Sequence, residues 1–242
     1  LYSYQKGAID KIFTAFEDAP EDYHLLYQLP TGGGKTVIFS EIVRQYLKNH
    51  KRKVLVLTHR IELCKQTSSM LTEFNVVNKV ISSTANLEDQ SEYTCFVAMV
   101  ETLNNRLQED RLDISDVGLV IIDEAHYNSF TKLFKFFEKS FILGVTATPL
   151  SSNIKLPMND NYDELIVGET IESLIENEFL SKANVYSYNV GLTTLEVGAN
   201  GDYTVKSSDD LYMGTDMLSR LLQAYQERSK GKKTLIFNNG IN

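Results

Sequence analysis

The chain has 242 residues, 43% hydrophobic and 23% charged, with 13 Gly and 4 Pro, which supports a sizeable core and excludes collagen-like and low-complexity classes. Its net charge of −8, from 24 basic and 32 acidic residues, argues against blanket coating of nucleic acid but not against a local basic groove. The longest apolar runs, such as residues 119–122, fall far short of the ~18 residues of a membrane span. No basic, apolar leader opens the chain, and Cys64 and Cys95 lie in apolar segments without metal-ligand spacing. A reduced, cytoplasmic protein with no membrane anchor is expected.

Residues 1–150 alternate between helical patterns and short apolar runs, the texture of an α/β fold with a mostly parallel sheet flanked by helices. In chain order the patterns predict a helix over 4–16, a strand over 24–28, a helix over 35–48, a strand over 54–57 and a helix over 61–74. Strands over 79–82 and 94–98 follow, then a helix over 101–108, a strand over 118–122, a helix over 130–139 and a strand over 142–145. Several strands are unbroken aliphatic runs, as expected of strands buried on both faces. Phe130, Phe134, Phe137 and Phe141 fall at i, i+4, i+7 and i+11, one stripe of a helix, read as core packing rather than a base-stacking platform.

After Pro149 the texture changes. Residues 151–161 read as a loop, 166–180 as a helix, 184–190 as a strand, and Asn200-Gly201 as a tight turn between two extended segments. A helix over 217–227 and a buried strand over 233–237 close the chain. That last strand needs partners. Residues 1–180 are therefore expected to form one domain, and 181–242 the incomplete beginning of a second. His24, His50 and the run Lys51-Arg52-Lys53 read as structural or solvated residues.

The strongest local signal is Pro30-Thr31-Gly32-Gly33-Gly34-Lys35-Thr36, between a predicted strand and a predicted helix. Three glycines let the backbone approach phosphate oxygens and aim N–H groups at them, and the helix N-terminus adds positive potential. Lys35 can reach β- and γ-phosphates, and the Thr36 hydroxyl can ligate Mg2+. Leu29 stands where the general phosphate-loop pattern has a glycine. Further on, residues 120–122 form an apolar strand ending in Asp123, Glu124, Ala125 and His126. Asp123 is placed to hold Mg2+ through water, and Glu124 to orient or deprotonate the attacking water. Thr146-Ala147-Thr148 follows another buried strand, so its hydroxyls can bridge toward the acidic cluster.

These three elements, in this order, resemble motifs I, II and III of superfamily-2 helicases of the DEAH-box kind. Tyr4-Gln5 is similar to the Q motif, Thr58-His59-Arg60 to motif Ia, residues 98–103 to the next backbone-contacting segment, and residues 234–238 to motif IV. The match is nearest the repair-helicase and type I/III restriction-subunit-like branch, which acts mostly on duplex DNA. The resemblance implies a RecA-like P-loop NTPase domain plus the start of a second RecA-like domain, with ATP and Mg2+ as cofactors. It implies Glu124, Asp123 and Lys35 as catalytic residues, and Gln5 and residues 30–36 as the nucleotide cradle. His126, Thr146 and Thr148 would couple the site to movement, and His59, Arg60 and Thr102 would touch nucleic acid. Motifs V and VI, which carry the arginine finger in this family, have no counterpart in the 242 residues. The expected function is an ATP-dependent helicase or translocase on DNA, with further domains or subunits of a restriction or repair system as partners. The alternatives are an RNA helicase, a P-loop ATPase that remodels protein partners, or a nucleotide-gated subunit that never hydrolyses.

Overall fold

The computed structural model describes residues 1–17, 19–82, 92–109, 114–151, 157–188, 192–198 and 203–237. It divides into two units, Leu1–Lys182 and Ala183–Asn242. No helix among the described residues is long and apolar enough to cross a membrane.

The first unit runs α1 (Ser3–Glu17), β1 (His24–Gln28), α2 (Lys35–Asn49), β2 (Lys53–Thr58), α3 (Ile61–Glu73), β3 (Asn78–Ile81), β4 (Cys95–Met99) and α4 (Val100–Gln108). It continues through β5 (Val117–Asp123), 3-10 turns over Asn128–Phe136, β6 (Phe141–Thr146), a short 3-10 turn, β7 (Glu164–Val167) and α5 (Ile171–Glu176). The strands form one sheet in the order β3-β4-β2-β5-β6-β1-β7, and all of its pairings are parallel. Because successive strand residues face opposite sides, each aliphatic run feeds two cores. Val54, Val56, Leu119 and Ile121 meet Ile38, Phe39 and Ile42 of α2 on one side. Leu55, Leu57, Val120 and Ile122 meet Leu103 of α4 and Phe130, Leu133 and Phe137 on the other. β5 is buried along its whole length, so the continuous run at 117–123 reports a central strand and delivers Asp123 to the C-terminal sheet edge.

Four expectations need correction. The segment expected as a helix over 130–139 winds as 3-10 turns over Asn128–Phe136. Its buried side chains are Phe130 and Leu133, with Phe137 just past the turns and Phe134 and Phe136 partly buried against the same core. At three residues per turn Phe130, Leu133 and the half-buried Phe136 share one side. Phe141 leaves the phenylalanine stripe. It opens β6 and stacks on Phe16, centroids 4.8 Å apart, in the opposite layer.

The helix expected over 166–180 is a strand, β7, followed by the short α5, whose Thr170 cap accepts a hydrogen bond from the Ser173 N–H at 3.1 Å. Among the described residues β7 is an edge strand paired with β1 that leaves Glu164, Leu165 and Val167 exposed. Its apolar run, Leu165-Ile166-Val167, is only three residues long and merges with the helical pattern after it. Residues 184–188 form no strand, and residues 189–190 lie outside the described ones.

The second unit contains a 3-10 turn (Leu192–Thr194), a bridge between Val197 and Tyr203, α6 (Val205–Tyr212) and α7 (Thr215–Arg228). The bridge flanks Asn200-Gly201, which lies outside the described residues. Residues 233–237 are exposed and form no strand. A strand without a partner leaves its backbone groups to water and has no ladder to hold it.

Candidate nucleotide site

β1 delivers the glycine loop to the C-terminal sheet edge, where ligands bind in open α/β sheets. The Leu29 N–H donates to the Thr146 carbonyl at 3.0 Å, tying the loop to β6. Gly32 and Gly34 adopt φ +84° and +83°, a region costly for other residues. A Cβ on Gly33 would sit 2.7 Å from the Leu29 side chain, and one on Gly34 would sit 2.6 Å from Gln5 Nε2. Leu29 is fully buried beneath the loop, so where the general pattern has a glycine this chain has a hydrophobic floor. Gly34 caps α2 with no side-chain hydrogen bond, which leaves the first N–H groups of the helix free for an anion. Thr31 and Gly32 are exposed, and Pro30 and Thr36 are half-buried. Lys35, 9% exposed, donates through Nζ to the Leu29 carbonyl at 3.2 Å.

Two strands away, Asp123 ends β5 with 7% exposure. Burial, then the charge of Glu124, pushes its carboxyl up from 3.8 to about 6, against the opposing pull of Lys35 and of the Glu124 N–H. That N–H donates to Asp123 Oδ1 at 3.0 Å. Glu124 has φ +53°, the left-handed region, an uncommon and strained conformation for a non-glycine residue. The turn is pinned on both sides. The Ala125 N–H donates to the Val145 carbonyl at 3.0 Å, and the Tyr127 N–H to the Glu124 carbonyl at 3.1 Å.

The predicted bridge to the third motif is present. His126 Nδ1 lies 3.0 Å from Thr146 Oγ1 and 3.4 Å from Glu124 Oε2. The Thr146 hydroxyl donates to the Thr148 carbonyl at 3.0 Å and accepts from the Thr148 N–H at 3.1 Å. With its one proton committed, it accepts from His126, which assigns a proton to Nδ1. Thr148 joins this network through its backbone rather than its hydroxyl.

Gln5 is buried under the loop. Its Oε1 accepts from the Tyr2 N–H at 2.9 Å, its Nε2 lies 3.4 Å from the Tyr4 hydroxyl, and that hydroxyl donates to the Gly33 carbonyl at 2.7 Å. Tyr2 and Tyr4 pack on Phe179, with centroids 4.7 and 4.9 Å away. No motif in the sequence marks Tyr2 or Phe179. Only the tertiary fold joins them, across more than 170 positions.

The residues expected to touch nucleic acid emerge from the neighbouring strand ends, since Thr58 pairs with Met99 and Leu57 with Ile122. Arg60 is exposed as the residue before α3, and Thr102 is half-buried in the first turn of α4. His59 is half-buried and packs on Tyr127, another residue the sequence did not flag. Burial, and then the nearby Arg60, push the His59 imidazole below its ordinary 6.5.

A parallel sheet, a glycine loop opening a helix and an acidic strand tip together define a RecA-like P-loop fold. Within that class, the family described as type III restriction enzyme, res subunit, matches residues 1–151, more than half of the chain, and the chain belongs to it. The family sits in the restriction-subunit-like branch of the superfamily-2 helicases. The chain is 30% identical over 221 residues to a 51.5 kDa protein of a Lactococcus phage, a match covering 89% of this chain and 44% of the relative. It is 29% identical over 258 residues to IRC3 of Saccharomyces cerevisiae, named as a candidate ATP-dependent helicase, covering 98% of this chain and 37% of that protein. The chain thus spans less than half the length of these relatives. The solved structure of a nuclease-deletion mutant of the type ISP restriction-modification enzyme LlaGI, in complex with a DNA substrate mimic, shares the fold. Its TM-score is 0.60 at 19% identity, covering 74% of this chain and 20% of that one.

Proposed function

We propose that the protein is an ATP-dependent helicase or translocase acting on DNA, in the cytoplasm. In this reading residues 1–180 are its nucleotide-binding domain, and residues 181–242 begin a second RecA-like domain. The observation that carries the reading is the convergence of the glycine loop, Lys35, Asp123, Glu124 and the His126–Thr146 bridge on one sheet edge. DNA is favoured over RNA by the restriction-enzyme family to which the chain belongs.

Phosphates would lie over the loop N–H groups and the start of α2, where Lys35 exchanges the Leu29 carbonyl for phosphate oxygens. Gln5 and Tyr4 brace the loop from below, and the buried Gln5 amide would reach the adenine edge only after giving up its present partners. The site fits a divalent cation. Asp123 is a buried carboxylate whose charge is offset by Lys35 and the Glu124 N–H, and Thr36 is on the first turn of α2. Asp123 and Thr36 would hold Mg2+, which supplies positive charge against the phosphates when bound. Glu124 would orient the attacking water and take its proton, with His126 and Thr146 fixing its position. His59, Arg60 and Thr102 would contact the backbone of the strand.

The test is nucleotide binding by calorimetry together with ATP turnover by the intact protein, with and without DNA or RNA. Lys35→Ala should abolish detectable ATP binding while the fold remains, and unchanged affinity would sink the assignment of the loop. DNA should stimulate turnover. Stimulation by RNA alone would make the protein an RNA helicase, and indifference to both would point to protein partners.

A further inference from the structure

We propose that Tyr127 is a positioning residue that couples strand contact at residues 58–60 to Glu124. The inference rests on the functional reading above and deepens it. The Tyr127 ring packs on two imidazoles, with centroids 4.3 Å from His59 and 4.3 Å from His126, tilted by 35° and 36°. Its backbone is tied to the residue it would control, because the Tyr127 N–H closes the turn on the Glu124 carbonyl at 3.1 Å. One packed path therefore runs from the segment expected to grip the strand to the group expected to activate water.

The two ends of this path are unequal. On the nucleotide side, His126 Nδ1 is satisfied by Thr146 at 3.0 Å and reaches Glu124 at 3.4 Å. On the strand side, Thr58 is buried and fixed, donating to the Arg60 carbonyl at 3.1 Å and touching Cys64 Sγ at 2.9 Å. His59 Nδ1, next along the chain, is enclosed without a hydrogen-bond partner among the described residues. Such atoms are rare in folded proteins, so the loop gains a partner by rearranging. Glu124 also has an easier backbone conformation to move to, since φ +53° is strained for a non-glycine residue. A strand drawn against Arg60 and His59 shifts the ring that rests on them, and Tyr127 carries that shift into the turn holding Glu124.

The experiment compares the intact wild-type protein with Tyr127→Leu, which keeps bulk without the ring, and Tyr127→Phe, which keeps the ring. ATP turnover is measured with and without duplex DNA, and DNA affinity separately. In Tyr127→Leu, stimulation by DNA should fall about tenfold, a usual size for coupling between sites, while basal turnover and DNA affinity stay within about twofold. Tyr127→Phe should be stimulated like wild type. Tyr127→Met, a second ring-free side chain that fills irregular space, gives the same reading if the leucine variant does not fold. Full stimulation of a folded ring-free variant, parallel loss of basal and stimulated turnover, or equal damage from phenylalanine overturns the inference. An unstimulated wild type overturns the functional reading itself, and the coupling with it.

Discussion

Asp123 is a carboxyl group that has to be ionised to hold a cation, yet its surroundings favour the neutral form. Burial and the neighbouring Glu124 raise it from 3.8 to about 6. The folded chain therefore binds this proton more tightly than the unfolded chain does. The stability that results is fully present below about pH 4 and is lost as pH rises through about 6. The difference corresponds to roughly 3 kcal/mol at most, an order-of-magnitude figure. Asp123→Asn should thus stabilise the chain at neutral pH, without Mg2+ or nucleotide, by roughly 1–3 kcal/mol, or about 2–4 °C in Tm per kcal/mol. It should also flatten the decline between about pH 4 and 6. Melting curves across pH check this, and a variant that tracks wild type throughout would show that Asp123 does not titrate there. Glu124→Gln makes the complementary case. The amide keeps shape and nucleotide affinity but cannot take a proton, so turnover by the intact protein should drop ~10²–10⁴-fold. A loss under about tenfold would remove Glu124 as the base.

Close packing between elements adds a constraint that no sequence motif announces. Gly144 lies in β6, and a Cβ there would stand 2.6–2.7 Å from the ring and hydroxyl of Tyr162. Tyr162, itself buried, sits in the second core cluster with Ile142 and Phe137. Gly144→Ala should overpack this contact and cost about 1–3 kcal/mol, read as a lower Tm. Relief by a second change, Tyr162→Leu, which removes the ring, would confirm the clash, and an unshifted Tm would refute it. What could be read from the sequence follows from the same physics. The central strands were legible because β2, β4 and β5 are apolar on both faces, and the glycine loop because φ above +80° at Gly32 and Gly34 admits few other residues. β7 was not legible, since its apolar run, Leu165-Ile166-Val167, is only three residues long and merges with the helical pattern that follows. The 3-10 segment was missed because aromatic spacing alone does not separate three residues per turn from 3.6. At the site, Asp123, Glu124, His126 and Thr146 announce themselves by type and order. Tyr2, Tyr127 and Phe179 do not, because what distinguishes them is which distant ring they meet.

The two units differ in what holds them together. Both core clusters lie wholly within Leu1–Lys182. Among the described residues of Ala183–Asn242, the only buried side chains are Ser207 and Ser208. α7 buries nothing and exposes Leu218, Leu221 and Leu222, and Phe237 is 87% exposed. A 60-residue unit is marginal even with a core, and a helix of α7's length is marginal alone in water. These exposed apolar residues suit our reading of 181–242 as the start of a larger domain, whose remaining sheet would cover them. Every residue proposed to hold nucleotide lies in the first unit. Residues 1–182 should therefore fold alone, melt cooperatively within a few degrees of the 242-residue chain and bind ATP within about threefold of its affinity, a difference under ~1 kcal/mol. Residues 183–242 alone should exchange their amide protons nearly as fast as an unstructured chain, α6 and α7 included. Hydrogen exchange and calorimetry on the two pieces decide the matter. Strong protection in the isolated second piece would show that it holds a core of its own. A large loss of ATP affinity in residues 1–182 would mean that the nucleotide site draws on residues beyond Lys182, and the assignment of that site to the first unit would be wrong.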